Sequence, residues 1–81
     1  MGIDVKYGRV TTERGHIPDD EPVVVFRAQD RLLPSVLREY RFCCVMADVS
    51  AQHLAEVDAA LAAVDHWQSL HPTKTPDPLH D

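Results

Sequence analysis

Two prolines, Pro34 and Pro72, bound the part of the chain that can form long helices. A proline suits the first turn of a helix, where its missing amide would have had no partner anyway. It also biases the residue before it away from helical geometry. A first helix is therefore predicted from Pro34 to about Ala47, with Leu33 at its cap and Leu32 and Leu37 as a hydrophobic staple. Asp48-Val49 interrupts the pattern. Ser50 is a good N-cap for a second helix, and Val49 with Leu54 gives a second staple. This helix is predicted to end near Leu70, ahead of His71-Pro72.

The region before Pro34 has a different period. Val5 to Thr12 alternates and is rich in β-formers, Glu13-Arg14-Gly15 reads as a turn, and Gly15 is the expected positive-φ position. His16 to Pro22 contains two prolines and is predicted to be a loop or a short edge piece. Val23-Val24-Val25-Phe26-Arg27 is the best strand in the chain; its period of two puts Val24 and Phe26 on one face, and Val23, Val25 and Arg27 on the other. The expected fold is α+β: a small antiparallel β-hairpin packed on an antiparallel two-helix hairpin, in the order ββαα. Residues 1–72 are expected to form a single domain, and 73–81, with Pro76, Pro78 and charges, a flexible tail.

At 81 residues the chain hides only about 60–65% of its unfolded surface. Apolar residues make up 44% of it, which leaves apolar area for contacts beyond its own two layers. On the first helix, Val36, Leu37, Tyr40, Cys43, Cys44 and Ala47 share the predicted core stripe. The opposite face carries Arg38, Arg41, Phe42, Val45 and Met46, and is read as an interface, most simply of a twofold homodimer, with Val23 and Val25 as further contributors. On the second helix, Leu54, Val57, Leu61 and Val64 form the stripe with Trp67 at its edge, whereas Asp58 and Asp65 read as a solvated flank. Cys43 and Cys44 are neighbours on a helix and diverge by ~100°, so they are read as small core residues of a reducing compartment and not as a disulfide.

Charge removes some functions. The net charge is −5. The basic residues sit in the first half, where they are matched by acids, and the second half has Lys74 as its one basic residue. An acidic chain with no basic face is not expected to bind duplex DNA. No apolar run approaches ~20 residues, so no membrane span is expected. Asp4, Lys6 and Arg9 break up any leader-like stretch, and a cytoplasmic location is expected.

No G-x-S-x-G surrounds a serine, and the glycines are isolated at 2, 8 and 15, so neither a nucleophile elbow nor a phosphate loop is present. The histidines lack metal-ligand spacing, and His16 with Asp19 or Asp20 is only a weak cation candidate. No cofactor, resident metal or catalytic set is expected. The richest polar segment is Arg27-Ala28-Gln29-Asp30, which offers a guanidinium fork, an amide and a carboxylate ahead of a helix start. Arg27 is suited to gripping a phosphate and Gln29 to reading a base edge. Arg9 and Arg14 are expected to complete the charge, and Tyr7 or Trp67 to offer a stacking surface. The competing reading is structural: Asp30 caps the turn at Leu32-Leu33, and Arg27 pairs with Asp30 or Glu21.

Arg9-Val10-Thr11-Thr12, Gly15-His16-Ile17-Pro18-Asp19-Asp20-Glu21-Pro22-Val23 and Phe26-Arg27-Ala28-Gln29-Asp30 together resemble a group of short uncharacterised proteins encoded by bacteriophages and prophages, often of actinobacteria. The resemblance extends more loosely to Trp67-Gln68 and His71-Pro72. It implies an accessory protein acting in a host bacterial cytoplasm, of a class whose members bind host proteins or sequester signalling nucleotides used in defence. The leading expectation is a non-enzymatic protein that sequesters a small anionic ligand, plausibly a nucleotide. The alternative is an inhibitor or adaptor that binds a host protein through the outer face of the first helix.

Overall fold

The computed structural model describes residues 1–76. They form a two-strand antiparallel hairpin followed by two helices, the ββαα order expected for an α+β chain. The described residues divide into two compact units, one from Met1 to Phe26 and one from Arg27 onward.

In the first unit, β1 (Gly2–Asp4) pairs with β2 (Gly8–Val10), with Asp4 opposite Gly8. The hairpin turn is therefore at Val5-Lys6-Tyr7, not at Glu13-Arg14-Gly15 as the alternation suggested. Local chemistry explains the difference. One oxygen of the Asp4 carboxylate accepts the amides of Lys6 and Tyr7, both at 2.7 Å, and so ties down the loop. Gly8 then closes the loop at φ 82°, a left-handed conformation that side chains disfavour. Gly15 does take positive φ, at 74°, as expected.

The predicted strand Val23–Arg27 is also corrected. Its first part runs beside β1, but in parallel, through an isolated bridge between Ile3 and Pro22. The Ile3 amide donates to the Glu21 carbonyl at 3.1 Å, and the Val23 amide to the Ile3 carbonyl at 3.0 Å. The ladder then stops because β1 ends. The next inward amide, Val25, donates instead to the second Asp4 carboxylate oxygen at 2.7 Å. The alternation itself holds: Val23 and Val25 are half-buried, while Val24 and Phe26 are 74% and 50% exposed.

In the second unit, α1 (Leu33–Met46) begins one residue before Pro34, and α2 (Ala51–Leu70) begins after Ser50 as expected. The Ser50 hydroxyl accepts the His53 amide at 3.1 Å. Between them α1 closes with a Schellman arrangement: Val49 N–H donates to the Cys44 carbonyl and Asp48 N–H to that of Val45. Asp48 occupies the left-handed position at φ 57°, where glycine is the usual residue. Asp48→Gly is expected to stabilise the helical unit by about 0.5 kcal/mol, read as a Tm raised by a few degrees. A lower Tm would refute this account of the turn.

The helix faces meet as antiparallel partners. Leu33, Cys44 and Val57 are buried, and Leu37, Leu54, Leu61, Val64 and Trp67 are half-buried. The α2 stripe is the predicted one. On α1 the stripe is rotated: Cys43, Val36 and Tyr40 are exposed, and Arg41 is half-buried. In this orientation two arginines of α1 reach carboxylates of α2. Arg41 donates to Asp58 through Nε at 2.5 Å and Nη2 at 3.3 Å, and Arg38 reaches Asp65 at 3.4 Å. Arg38 and Arg41 thus turn toward α2 and leave the outer face to which the sequence pattern assigned them. Asp58 and Asp65 are exposed, as expected of a solvated flank, and there they accept from the two arginines. Both cysteines are free, Cys44 buried and Cys43 exposed, so only one of them is the core residue expected.

The expected tail starts as ordered backbone. Lys74 bridges Asp30 in parallel, its amide donating to the Gln29 carbonyl and its carbonyl accepting from Arg31, each at 2.9 Å. The rest of the tail, 77–81, lies outside the described residues. Among the described residues no helix is long and apolar enough to cross a membrane.

Candidate functional site

The Arg27–Asp30 segment is built as a clasp. The chain turns there, with the Asp30 amide donating to the Arg27 carbonyl at 2.9 Å and the Leu33 amide to the Asp30 carbonyl at 3.1 Å. The Asp30 carboxylate accepts the Leu32 amide at 2.8 Å. This is the capping role considered for it, and it directs the chain into α1. From the far end of α2, the Gln68 side-chain amide donates to the carbonyls of Ala28 and Asp30, both at 2.9 Å. Lys74 takes the other side through the Gln29 backbone. The segment thus joins the start of α1 to the end of α2. The next turn of α2 is closed by the His71 ring, which stacks on Trp67 at 4.0 Å between centroids while its Nδ1 donates to the Trp67 carbonyl at 2.9 Å.

The side chains expected to hold an anion have separate fates. Asp30 is used in capping. Gln29 is half-buried and engages through its backbone. The exposed Arg27 guanidinium has no hydrogen bond or ion pair to any described residue, so the pairing with Asp30 or Glu21 is not formed. Tyr7, Arg9 and Arg14 belong to the other compact unit. Tyr7 lies under the Lys6 ammonium, 5.6 Å from its ring centre, and Arg9 reaches the Met1 sulfur at 3.8 Å. A groove of about 280 Å³ in that unit is lined by Asp4, Val5, Lys6 and Val23–Val25, an apolar wall without an arginine.

No family model, curated protein or solved structure matches this chain.

The outer face of α1 is clearer. Phe42, Val45 and Met46, spaced i, i+3 and i+4, are 59%, 49% and 71% exposed. With Arg38 and Arg41 drawn toward α2, the face is a purely apolar patch. Glu39 and Asp48 stand one helical turn before it and just after it, with no ion pair to a described residue.

Charge is tuned at two places. Backbone hydrogen bonds from Tyr7 and Val25, helped by Lys6 and opposed by burial, hold the Asp4 carboxyl below the ordinary aspartate range. The Arg41 hydrogen bond lowers Asp58, and Asp58 in turn raises Arg41. The latter pair is half open to water and contributes little to stability. Among the described residues no three His, Cys, Asp or Glu side chains stand close enough to hold a metal ion. His16 is exposed, and Asp19 takes the N-terminal ammonium at 3.2 Å. Three residues that organise these sites, Asp4, Gln68 and Lys74, were not singled out from the sequence. The Asp4-to-Gly8 spacing is a readable turn signal, whereas nothing local marks Gln68 or Lys74 as partners of a segment some 40 positions away.

Proposed function

We propose that this chain is a non-enzymatic binding protein that docks another protein on the outer face of α1. The observation that supports it is the Phe42, Val45 and Met46 patch, left in solvent while the neighbouring arginines serve the helix pair. Large apolar side chains grouped on one helix face mark an interaction surface, and no described residue covers these. Glu39 and Asp48 set the chemistry of the partner: an apolar segment rimmed by lysine or arginine. By its resemblance to short phage proteins, the partner is a protein of the bacterial host.

Binding is expected to fall at least tenfold in Phe42→Asp, with the circular dichroism spectrum unchanged. Glu39→Lys is expected to weaken it less, mainly through the association rate and with a smaller salt dependence. Retained binding in Phe42→Asp would reject the reading.

A small anionic ligand is the second reading, and the observation favouring it is an exposed Arg27 guanidinium with no partner among the described residues. Calorimetry with mono-, di- and cyclic nucleotides tests it. Heat that disappears in Arg27→Ala supports sequestration, and no heat with any nucleotide rejects it.

A further inference from the structure

The segment from Pro22 to Phe26 is an outer edge of the first unit, with no described residue paired to its far side. Three inward-facing groups hold it to the hairpin: the Glu21 carbonyl and Val23 amide on Ile3, and the Val25 amide on Asp4. In an extended chain the amide and carbonyl of one residue point the same way, and successive residues alternate. Pro22, Val24 and Phe26 therefore point their backbone groups outward. No described residue takes the amide of Val24 or Phe26, or the carbonyl of Pro22 or Val24. The Val24 and Phe26 side chains are themselves 74% and 50% exposed. An edge that is β-branched, apolar and without a partner among the described residues is a template for another strand. The opposite edge, β2, is shorter and has Arg9 at its centre, which guards it against pairing.

We propose that Pro22–Phe26 pairs with the same edge of a second copy of this chain, antiparallel about Val24. The charge pattern selects this occupant. The strand is preceded by Asp19-Asp20-Glu21 and followed by Arg27, so it is acidic at one end and basic at the other. Centring an antiparallel pair on Val24 puts Val23 opposite Val25, Pro22 opposite Phe26, and Glu21 opposite Arg27 of the other copy. Opposite charges then face each other at both ends, whereas a parallel pair sets like against like. The outward amides fit the same register. Each Val24 amide meets the Val24 carbonyl of the other copy, and each Phe26 amide meets a Pro22 carbonyl. Pro22 has no amide to return, which limits the pairing to the centre. An edge this short buries much less than a standard interface, so the dimer is weak and concentration-dependent.

Sedimentation equilibrium from roughly 10 µM to 1 mM is expected to show a monomer–dimer equilibrium. Val24→Pro removes an outward donor but leaves the Val23 and Val25 amides in place, and it favours extended geometry at Val23. It is expected to be monomeric throughout that range, with Ile3 and Val25 amide protection unchanged. Glu21→Arg and Arg27→Glu are each expected to weaken the dimer about tenfold, and the doubly reversed chain to regain it. That recovery does not depend on how Val24→Pro folds. Phe42→Asp is expected to leave self-association intact, which separates this proposal from the docking face on α1. A chain monomeric at 1 mM would overturn the proposal. So would a dimer that survives Val24→Pro with its amide protection kept, or charge reversals that do not compensate.

Discussion

Gln68→Leu is expected to destabilise the helical unit by about 2 kcal/mol, more than any exposed substitution in it. Leucine is close in size to glutamine and suits a helix, so the substitution leaves packing and propensity nearly untouched. What it removes is the side-chain amide that donates at 2.9 Å to both the Ala28 and Asp30 carbonyls. Each bond contributes roughly 1 kcal/mol net, and a part-buried carbonyl left without a donor adds a desolvation cost. The effect reaches beyond the bonds themselves. Ala28–Asp30 is the turn that delivers the chain into α1, and Asp30 also carries the Leu32 cap and the bridge to Lys74. Urea unfolding followed at 222 nm checks it: the midpoint should drop with the slope unchanged. Gln68→Glu, which keeps the shape but has no donor, should fall at least as far because it sets a carboxylate against two carbonyls. A Gln68→Leu midpoint within error of the parent would show that the clasp contributes nothing.

The clasp also shows where sequence reading reaches and where it stops. The helices were legible because their signals are local: Ser50 as a cap, the Leu54-Val57-Leu61-Val64 period and the stop before Pro72 each act within a few residues. The rotation of α1 was not legible. Arg38 and Arg41 look like outer-face residues on a helical wheel, and their pairing with Asp65 and Asp58 on the facing helix has no local signal. The same limit applies at Arg27–Asp30. The segment is rich enough in polar groups to suggest a ligand site, yet Asp30 caps its own turn, and the segment's backbone is held by Gln68 and Lys74 far along the chain. The apolar outer patch was legible since Phe42, Val45 and Met46 form a coherent face on any wheel. In the N-terminal unit, alternation placed the exposed and half-buried valines correctly, but could not tell which strand would be the neighbour. A turn held by Asp4 shortened β1 and left room beside it for Glu21–Val25 to enter in parallel.

Asp4→Ala is expected to dismantle the N-terminal unit's organisation, because one carboxylate there does the work of a strand. It is 5% exposed and accepts three backbone amides at 2.7 Å: Lys6 and Tyr7 within the turn, and Val25 from the neighbouring segment. Without it the loop loses its tie, and the segment beyond Val23 loses its last inward bond. Hydrogen exchange at those amides should accelerate together by roughly tenfold or more. Asp4→Asn sharpens the test. It keeps an oxygen for Lys6 and Tyr7 but turns an NH2 group toward Val25, so the Val25 amide should suffer more than the loop amides. The pH dependence carries a definite sign. The same bonds hold the folded carboxyl below its ordinary range. An unfolded aspartate takes up its proton near about 3.9, so Asp4's contribution is complete above that value. It is lost as pH falls through the lower folded value, because the unfolded chain then binds a proton the folded unit resists. Acid titration of the Lys6, Tyr7 and Val25 amide resonances should show their protection failing only below about pH 4. An Asp4→Ala chain whose amides kept the parent's protection would mean that the turn and the parallel segment hold without their shared acceptor.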